Sequence, residues 1–548
     1  MRLTNKISSP VKSQGIVRAR GNQRAVCIAL ACLTLASCGG SGKPVGAVGY
    51  VSGFGGMVAA DEPRAAQIGR DVLSAGGTPA DAVVAMAFSL SVTLPSQASL
   101  GAGGSCLVYD HEKKTTEALD FIAPAPTELA GTTTRPTAVP ALPRGMYALH
   151  SKYGRLHWEA LIQPAEAMAR LGVPTSRALA NQLTPFAGPL FEDGPSRAVF
   201  ARPDGNKLEE GDTLTQLDLG ATLSRLRTRG IGEFYNGVWA KDIANAANAS
   251  GGSLTPEQLR TFLPKWYAPL SVKTGDETYY FAPPPASAGL VEAELWTALA
   301  AQGQYAATTP DARPHLLAES FARAYADRQS WLSPDGKSAQ APEELLADGH
   351  VKGLFAGSLG AHQPAGGEAP GDTVSGTGIL AMNSEGSVVA CSVGLNNSFG
   401  TGRMLPNLGF MLAAAPGVKG RGPYALGPML GINHNSNEFR FAAAAGGGVS
   451  APTSLMQVAL RVVVDKKPLR DVIAEARLHA QNAPDVVQAE PGNGFAGALQ
   501  SQGHEVQEAP VAGRVNALQC TSGRPSLDRC QPATDPRGNG LALILGGS

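Results

Sequence analysis

The sequence has no excess charge of either sign: 45 Lys and Arg residues stand against 45 Asp and Glu. That balance gives no electrostatic footprint for nucleic acid or another polyanion, and a nucleic-acid partner is not expected. There is no CxxC pair, and no His/Cys group has metal-ligand spacing, so no metal is expected. No Walker A pattern and no GxGxxG opening a helix occurs, which argues against a bound nucleotide or other cofactor. Beyond the first forty residues no run is long and apolar enough to cross a bilayer.

What is present begins with a leader. Arg2, Lys6, Lys12, Arg18, Arg20 and Arg24 occur without an acid before a short apolar run from Ala25 to Ala36. This reads as an export signal. Leu35-Ala36-Ser37-Cys38 followed by two glycines resembles a lipobox, in which Cys38 becomes a lipidated first residue. The expectation is a signal segment over 1–38, a flexible tether over 39–56, and a periplasmic protein held to the cell envelope by lipid alone. In an exported chain Cys520 and Cys530, ten residues apart in a Gly/Pro/Ser loop, are expected to form a disulfide. Cys106 and Cys391 lie in apolar strand-like runs and read as buried, unreactive thiols.

Sixty-six glycines imply many turns and close backbone approaches. Helical periodicity covers 62–75 and 80–94, and the second stretch is apolar nearly all round, as in a helix buried on several sides. A glycine turn, Ser99 to Gly104, leads into a hairpin over 105–121. Helical patterns then dominate to about residue 350, among them 313–332, where Asp327-Arg328 reads as an ordinary ion pair. After Thr377 strands prevail, at 378–382, 388–395, 439–445 and 541–545, with helices at 452–463 and 469–476. Strands flanked by helices on both sides imply a layered α/β body.

The stretch from Gly371 to Gly402 carries the chemistry. A Gly/Pro/Ala-rich segment delivers Thr377 onto the head of an apolar strand. A Thr freed at such a position holds both a nucleophilic hydroxyl and its own base, the α-amine, whose unperturbed pKa is about 7.7–8.0. Gly446-Gly447-Gly448, between a strand and a helix, can aim backbone N–H groups at one point, as an oxyanion hole requires.

Several motifs in shared order resemble the γ-glutamyltransferases, a family of N-terminal-nucleophile hydrolases. They are Met57-Val58-Ala59-Ala60, Ala75-Gly76-Gly77-Thr78-Pro79-Ala80-Asp81-Ala82, Leu100-Gly101-Ala102-Gly103-Gly104, Ala324-Tyr325-Ala326-Asp327-Arg328, Leu395-Asn396-Asn397-Ser398-Phe399-Gly400-Thr401-Gly402 and Asp535-Pro536-Arg537-Gly538. The resemblance implies a four-layer αββα sandwich, made as one precursor that cuts itself. The expected products are a large subunit over 57–376 and a small subunit over 377–548. It implies a Thr acyl-enzyme that passes an acyl group from a small-molecule amide such as a γ-glutamyl compound to water or an amine. Thr377 is then the nucleophile, Gly447 and Gly448 the oxyanion donors, and Asn396 a substrate contact. Thr373 and Ser375 remain alternative new N-termini.

Departures from the family pattern also matter. Gly376 stands at the first of the family's two adjacent Thr positions, and Gly394 replaces a supporting Thr. Ile122 replaces the Arg that grips the substrate carboxylate, Pro428-Met429-Leu430-Gly431 replaces a pair of serines, and Ala413-Ala414-Ala415 fills a carboxylate-bearing stretch. An apolar clamp cannot pair a zwitterion, so a less polar amide is an expected donor. The alternative is a catalytically silent member acting as a cell-envelope binding lipoprotein.

Overall fold

A computed structural model of the chain describes residues 52–547, apart from 123, 127, 128, 130–132, 370, 419, 420 and 493. The leader, the lipobox with Cys38 and the tether up to residue 51 lie outside the described residues.

Thirteen strands build the two main sheets: β1 (Gly53–Ala60), β2 (Gly103–Asp110), β3 (Thr115–Asp120), β4 (Lys265–Tyr267), β5 (Leu270–Thr274), β6 (Glu277–Phe281), β7 (Thr377–Asn383), β8 (Val388–Gly394), β9 (Met429–Asn433), β10 (Glu438–Gly446), β11 (Arg514–Cys520), β12 (Cys530–Thr534) and β13 (Leu541–Gly547). Their order is β13-β1-β7-β8-β2-β3-β4 in the first sheet and β12-β11-β10-β9-β6-β5 in the second. Five helices position the site: α1 (Pro63–Ser74), α2 (Pro79–Thr93), α3 (Ser287–Trp296), α4 (Arg313–Trp331) and α5 (Ser450–Ala459).

Side-chain alternation along the strands sorts the layers. On β7, Ile379 and Ala381 pack with residues of α1 and α2, whereas Leu380 and Met382 meet Leu430, Ala442, Ala444 and Leu518 of the second sheet. The far face of that sheet, with Phe281, Phe441, Ala443 and Val515, packs against α3, α4 and α5. Helices, sheet, sheet and helices therefore stack as the expected αββα sandwich. Every residue of α2 is buried, which explains its all-apolar sequence, and a Thr78/Asp81 capping box with Pro79 at the first turn starts it.

Three findings correct the sequence reading. The 39–56 tether ends early, because β1 begins at Gly53 and pairs with β13 from there. Cys106 and Cys391 form a disulfide and are not free thiols. They face each other across the antiparallel β2–β8 pair, a register that residues 285 apart in sequence do not reveal. Strands β4, β5, β6, β9, β11 and β12 were not recognised, and Cys520 and Cys530, expected in a loop, end β11 and begin β12. All but β11 are three to five residues long, too short for a period-two pattern to stand out, and in the seven residues of β11 Asn516 and Gln519 interrupt the apolar pattern. The Cys520–Cys530 disulfide is present and joins directly paired positions of β11 and β12. Among the described residues no helix is long and apolar enough to cross a membrane.

Candidate active site

The segment 371–376 enters the sandwich between the sheets and becomes β7. Thr377 heads that strand and is fully buried. Its hydroxyl donates to Asp61 Oδ2 at 2.9 Å. Asp61 follows β1, the neighbour of β7, so adjacent strand ends bring together two residues 316 apart in sequence. Asn516, on β11 of the other sheet, donates to Asp61 Oδ1 at 2.8 Å and to the Gly378 carbonyl at 2.9 Å. Burial raises the Asp61 carboxyl above its ordinary range, against the pull of Arg514 and of the hydrogen bonds from Thr377 and Asn516. A carboxylate so placed is a stronger base than one in water.

The peptide in front of Thr377 is held on its other side too. Arg514 Nη2 donates to the Gly376 carbonyl oxygen at 3.0 Å, and Arg514 Nε lies 3.8 Å from Asp61 Oδ2. One peptide bond, Gly376–Thr377, thus has a carboxylate on its hydroxyl and a guanidinium on its carbonyl. Gly376 has φ +97°, in the region that favours glycine. A Cβ there would lie 3.3 Å from Leu426.

Gly447 and Gly448 do converge on one point. Their N–H groups donate to the Ser375 carbonyl at 2.8 and 3.2 Å. This is the carbonyl of the preceding peptide, one residue upstream of the one Arg514 holds. Gly447 has φ +128° and Gly448 φ +64°, and a Cβ on Gly448 would strike the Thr373 carbonyl at 2.2 Å. Only glycine brings these N–H groups so close to another backbone.

The surroundings fix the approach to the junction. Arg328 grips Asp372 through both terminal nitrogens, one at 2.9 Å, and both side chains are buried. It does not pair with Asp327, which faces His350 at 3.1 Å instead. The sequence expectation of an Asp327–Arg328 ion pair is thereby corrected: neighbours on a helix point in different directions. Thr373 donates to the Asn396 carbonyl at 2.8 Å, and the Asn396 side chain donates to the Gly422 carbonyl at 3.2 Å. Asn396 therefore braces backbone. The Asp535-Pro536-Arg537-Gly538 stretch is a brace as well: Asp535 accepts from Arg477 and, at 3.0 Å, from the Val515 N–H beside Arg514.

Comparison with known proteins follows the geometry. The gamma-glutamyltranspeptidase family matches residues 65–415 and 425–545. The chain belongs to this family. It is 27% identical over 484 residues to the glutathione hydrolase proenzyme of Escherichia coli K12, covering 80% of this chain and 83% of that one. It is 25% identical over 509 residues to the acylase ACY 1 proenzyme of a Pseudomonas species, covering 85% and 90%. Among solved structures, cephalosporin acylase from Bacillus halodurans superposes with a TM-score of 0.78 at 22% identity, over 93% of this chain and all of that one, a likeness of fold.

The residues at which the sequence reading placed departures from the family pattern are buried in this transpeptidase relative. Met429 and Leu430 sit fully buried in β9 between β6 and β10. Ala413, Ala414 and Ala415 are fully buried, and their backbones bond to Ala138, Leu395 and Pro136. Ile122 lines a cavity of about 730 Å³ together with Asp120, Val139, Phe262 and Pro284. Burial pushes the Asp120 carboxyl there up to about 7. Sequence reasoning missed Asp61, Arg514 and Asn516. The available hint was Arg514-Val515-Asn516, where two polar residues two apart share one face of a strand. Among the described residues, no group able to hold a cation includes Asp61.

Proposed function

We propose that this chain is an amidohydrolase and acyltransferase that cuts itself at Gly376–Thr377 and then uses Thr377 as its nucleophile. The observation that carries the reading is the bracketing of that peptide by Asp61 and Arg514. As the Thr377 oxygen attacks the Gly376 carbonyl carbon, Asp61 takes the hydroxyl proton. The charge that develops on the carbonyl oxygen lies beside Arg514. Collapse breaks the C–N bond, the proton passes to the leaving nitrogen, and Gly376 becomes an ester on Thr377 with a free α-amine. Water then releases Gly376 as a carboxylate.

Cleavage frees the segment ending in Gly376, so the Gly447 and Gly448 N–H groups that now hold the Ser375 carbonyl can receive a substrate oxyanion. Each such donor is worth about 3–4 kcal/mol of barrier. The α-amine of Thr377 then serves as base for acyl transfer to water or an amine. Relatives named as glutathione hydrolases and acylases support amide donors of γ-glutamyl or less polar type. The uncharged Ile122, which lines the cavity beside Asp120, favours the less polar one. Two disulfides agree with export, and lipid attachment at Cys38 belongs to the same proposal.

A second reading has its own observation. The glycine donors hold the Ser375 carbonyl, and the residue after that carbonyl is Gly376, which has no hydroxyl to attack it. If cleavage depends on those donors, the chain stays whole and acts by binding. One experiment separates the two. The mature chain is incubated and run on denaturing gels with and without reductant. Cleavage at Gly376–Thr377 gives two fragments only under reduction, because Cys106 and Cys391 lie on opposite sides of the cut. Sequencing the small fragment should start at Thr377, and a chain still whole under reduction sinks the enzyme reading.

A further inference from the structure

Away from the junction, α4 sets His315 and Glu319 one turn apart, and His504 reaches them from the turn after the short helix Phe495–Ser501. The three are 5%, 2% and 6% exposed. One ligand atom from each lies within 4.8 Å of the others. His315 Nδ1 is 2.8 Å from His504 Nε2, which is 3.8 Å from Glu319 Oε1. The loop leading to the junction adds Gly360 and His362. The Gly360 carbonyl faces His315 Nε2 at 2.7 Å. A carbonyl only accepts, so Nε2 carries the hydrogen and, in a neutral ring, Nδ1 offers a lone pair toward His504 and Glu319. His362 contacts Glu319 Oε1 at 2.6 Å through Nδ1 and Asp485 at 3.1 Å through Nε2, and Arg323 reaches Glu319 Oε2 at 3.4 Å.

This has the form of a metal centre with its supporting shell. Ligating histidines usually give their other N–H to a carbonyl or carboxylate, as His315 does to Gly360. Two imidazoles and a carboxylate are a recurrent zinc donor set. With metal–ligand bonds of about 2.0–2.1 Å, tetrahedral neighbours sit roughly 3.3 Å apart. The observed 2.8 and 3.8 Å lie on either side of that value. A shift of roughly half an ångström would admit the ion.

We propose that His315, Glu319 and His504 bind a divalent transition cation of the zinc type, which fastens the turn that carries His504 to α4. The competing arrangement is a metal-free pair in which His504 Nε2–H donates to His315 Nδ1. The test uses the full mature chain, stripped with a chelator and titrated with zinc in competition with a chromophoric chelator. One zinc per chain is expected. Binding should weaken more than tenfold in His504→Asn and in Glu319→Gln and stay unchanged in His157→Asn, which lies elsewhere. Cobalt(II) added to the wild-type chain should give the visible bands of a tetrahedral site, a readout that needs no variant to fold. Zinc bound no more tightly by the wild type than by both variants, or absence of those cobalt bands, overturns the proposal.

Discussion

Two neighbouring peptide bonds in this molecule are equipped in opposite ways. At Ser375–Gly376 the carbonyl rests on two converging glycine N–H groups, the better oxyanion site, but no side chain follows it to attack. At Gly376–Thr377 a hydroxyl is present with a buried carboxylate against it, while the carbonyl has a single guanidinium donor. A one-residue register between the hydroxyl and the converging N–H groups separates the two proposed readings within one fold. A nucleophile and its oxyanion donors must address the same carbonyl, and consecutive carbonyls along extended chain point in roughly opposite directions.

The sharpest way to break the comparison is Thr377→Ala. Self-cleavage should disappear entirely on a reducing gel; two fragments from this variant would move the nucleophile elsewhere, with Thr373 and Ser375 the alternative hydroxyls just upstream in the sequence. Asp61→Asn removes the base while keeping the shape, and the cleavage rate should fall about 100- to 10,000-fold in a timed gel series. A cut as fast as wild type would reduce Asp61 to a brace. The same carboxyl sets a pH dependence. Burial raises its pKa, and only the ionised form accepts the Thr377 proton, so cleavage should speed up as pH rises from the ordinary carboxylate range toward neutrality. A rate that falls over that interval would exclude Asp61 as base.

Arg514→Met tests the carbonyl side, with an expected loss of about 100- to 1,000-fold if it stabilises the developing oxyanion. The smallest expected effect is the most instructive. Gly376→Ser in the Thr377→Ala background places a hydroxyl directly after the carbonyl that Gly447 and Gly448 hold. A slow cut with a new N-terminus at residue 376 is expected, slow because φ +97° costs a non-glycine residue roughly 1–3 kcal/mol. No cut after long incubation would mean that the glycine donors serve only to anchor the chain.

Much of the architecture was legible because it depends on short-range patterns. The all-apolar stretch 80–94 had to be a helix covered on every side, and α2 is one. The head of β7 at Thr377 and the turn at Gly447 and Gly448 followed from glycines and apolar runs next to one another in sequence. The partners of those residues were not legible. Asp61 looked like one more residue at the end of an apolar run, and Arg514 and Asn516 lay in a stretch read as neither helix nor strand. The Cys106–Cys391 disulfide was missed for the same reason, since each cysteine sits in an apolar run and only the β2–β8 register makes them a pair.

The sequence by itself therefore determined the layers, the place of Thr377 at the head of a strand and the glycine turn at Gly447 and Gly448. Periodicity, glycine placement and capping operate over a few residues and need no knowledge of distant chain. The tertiary structure alone decided which carbonyl the Gly447 and Gly448 N–H groups address, which carboxylate meets the Thr377 hydroxyl, and that His315, Glu319 and His504 converge. Those facts arise from strand order and sheet packing, which bring residues 316, 138 and 189 positions apart within hydrogen-bonding distance. Hydrogen bonds require alignment to within a few tenths of an ångström, and only the assembled sheets supply it.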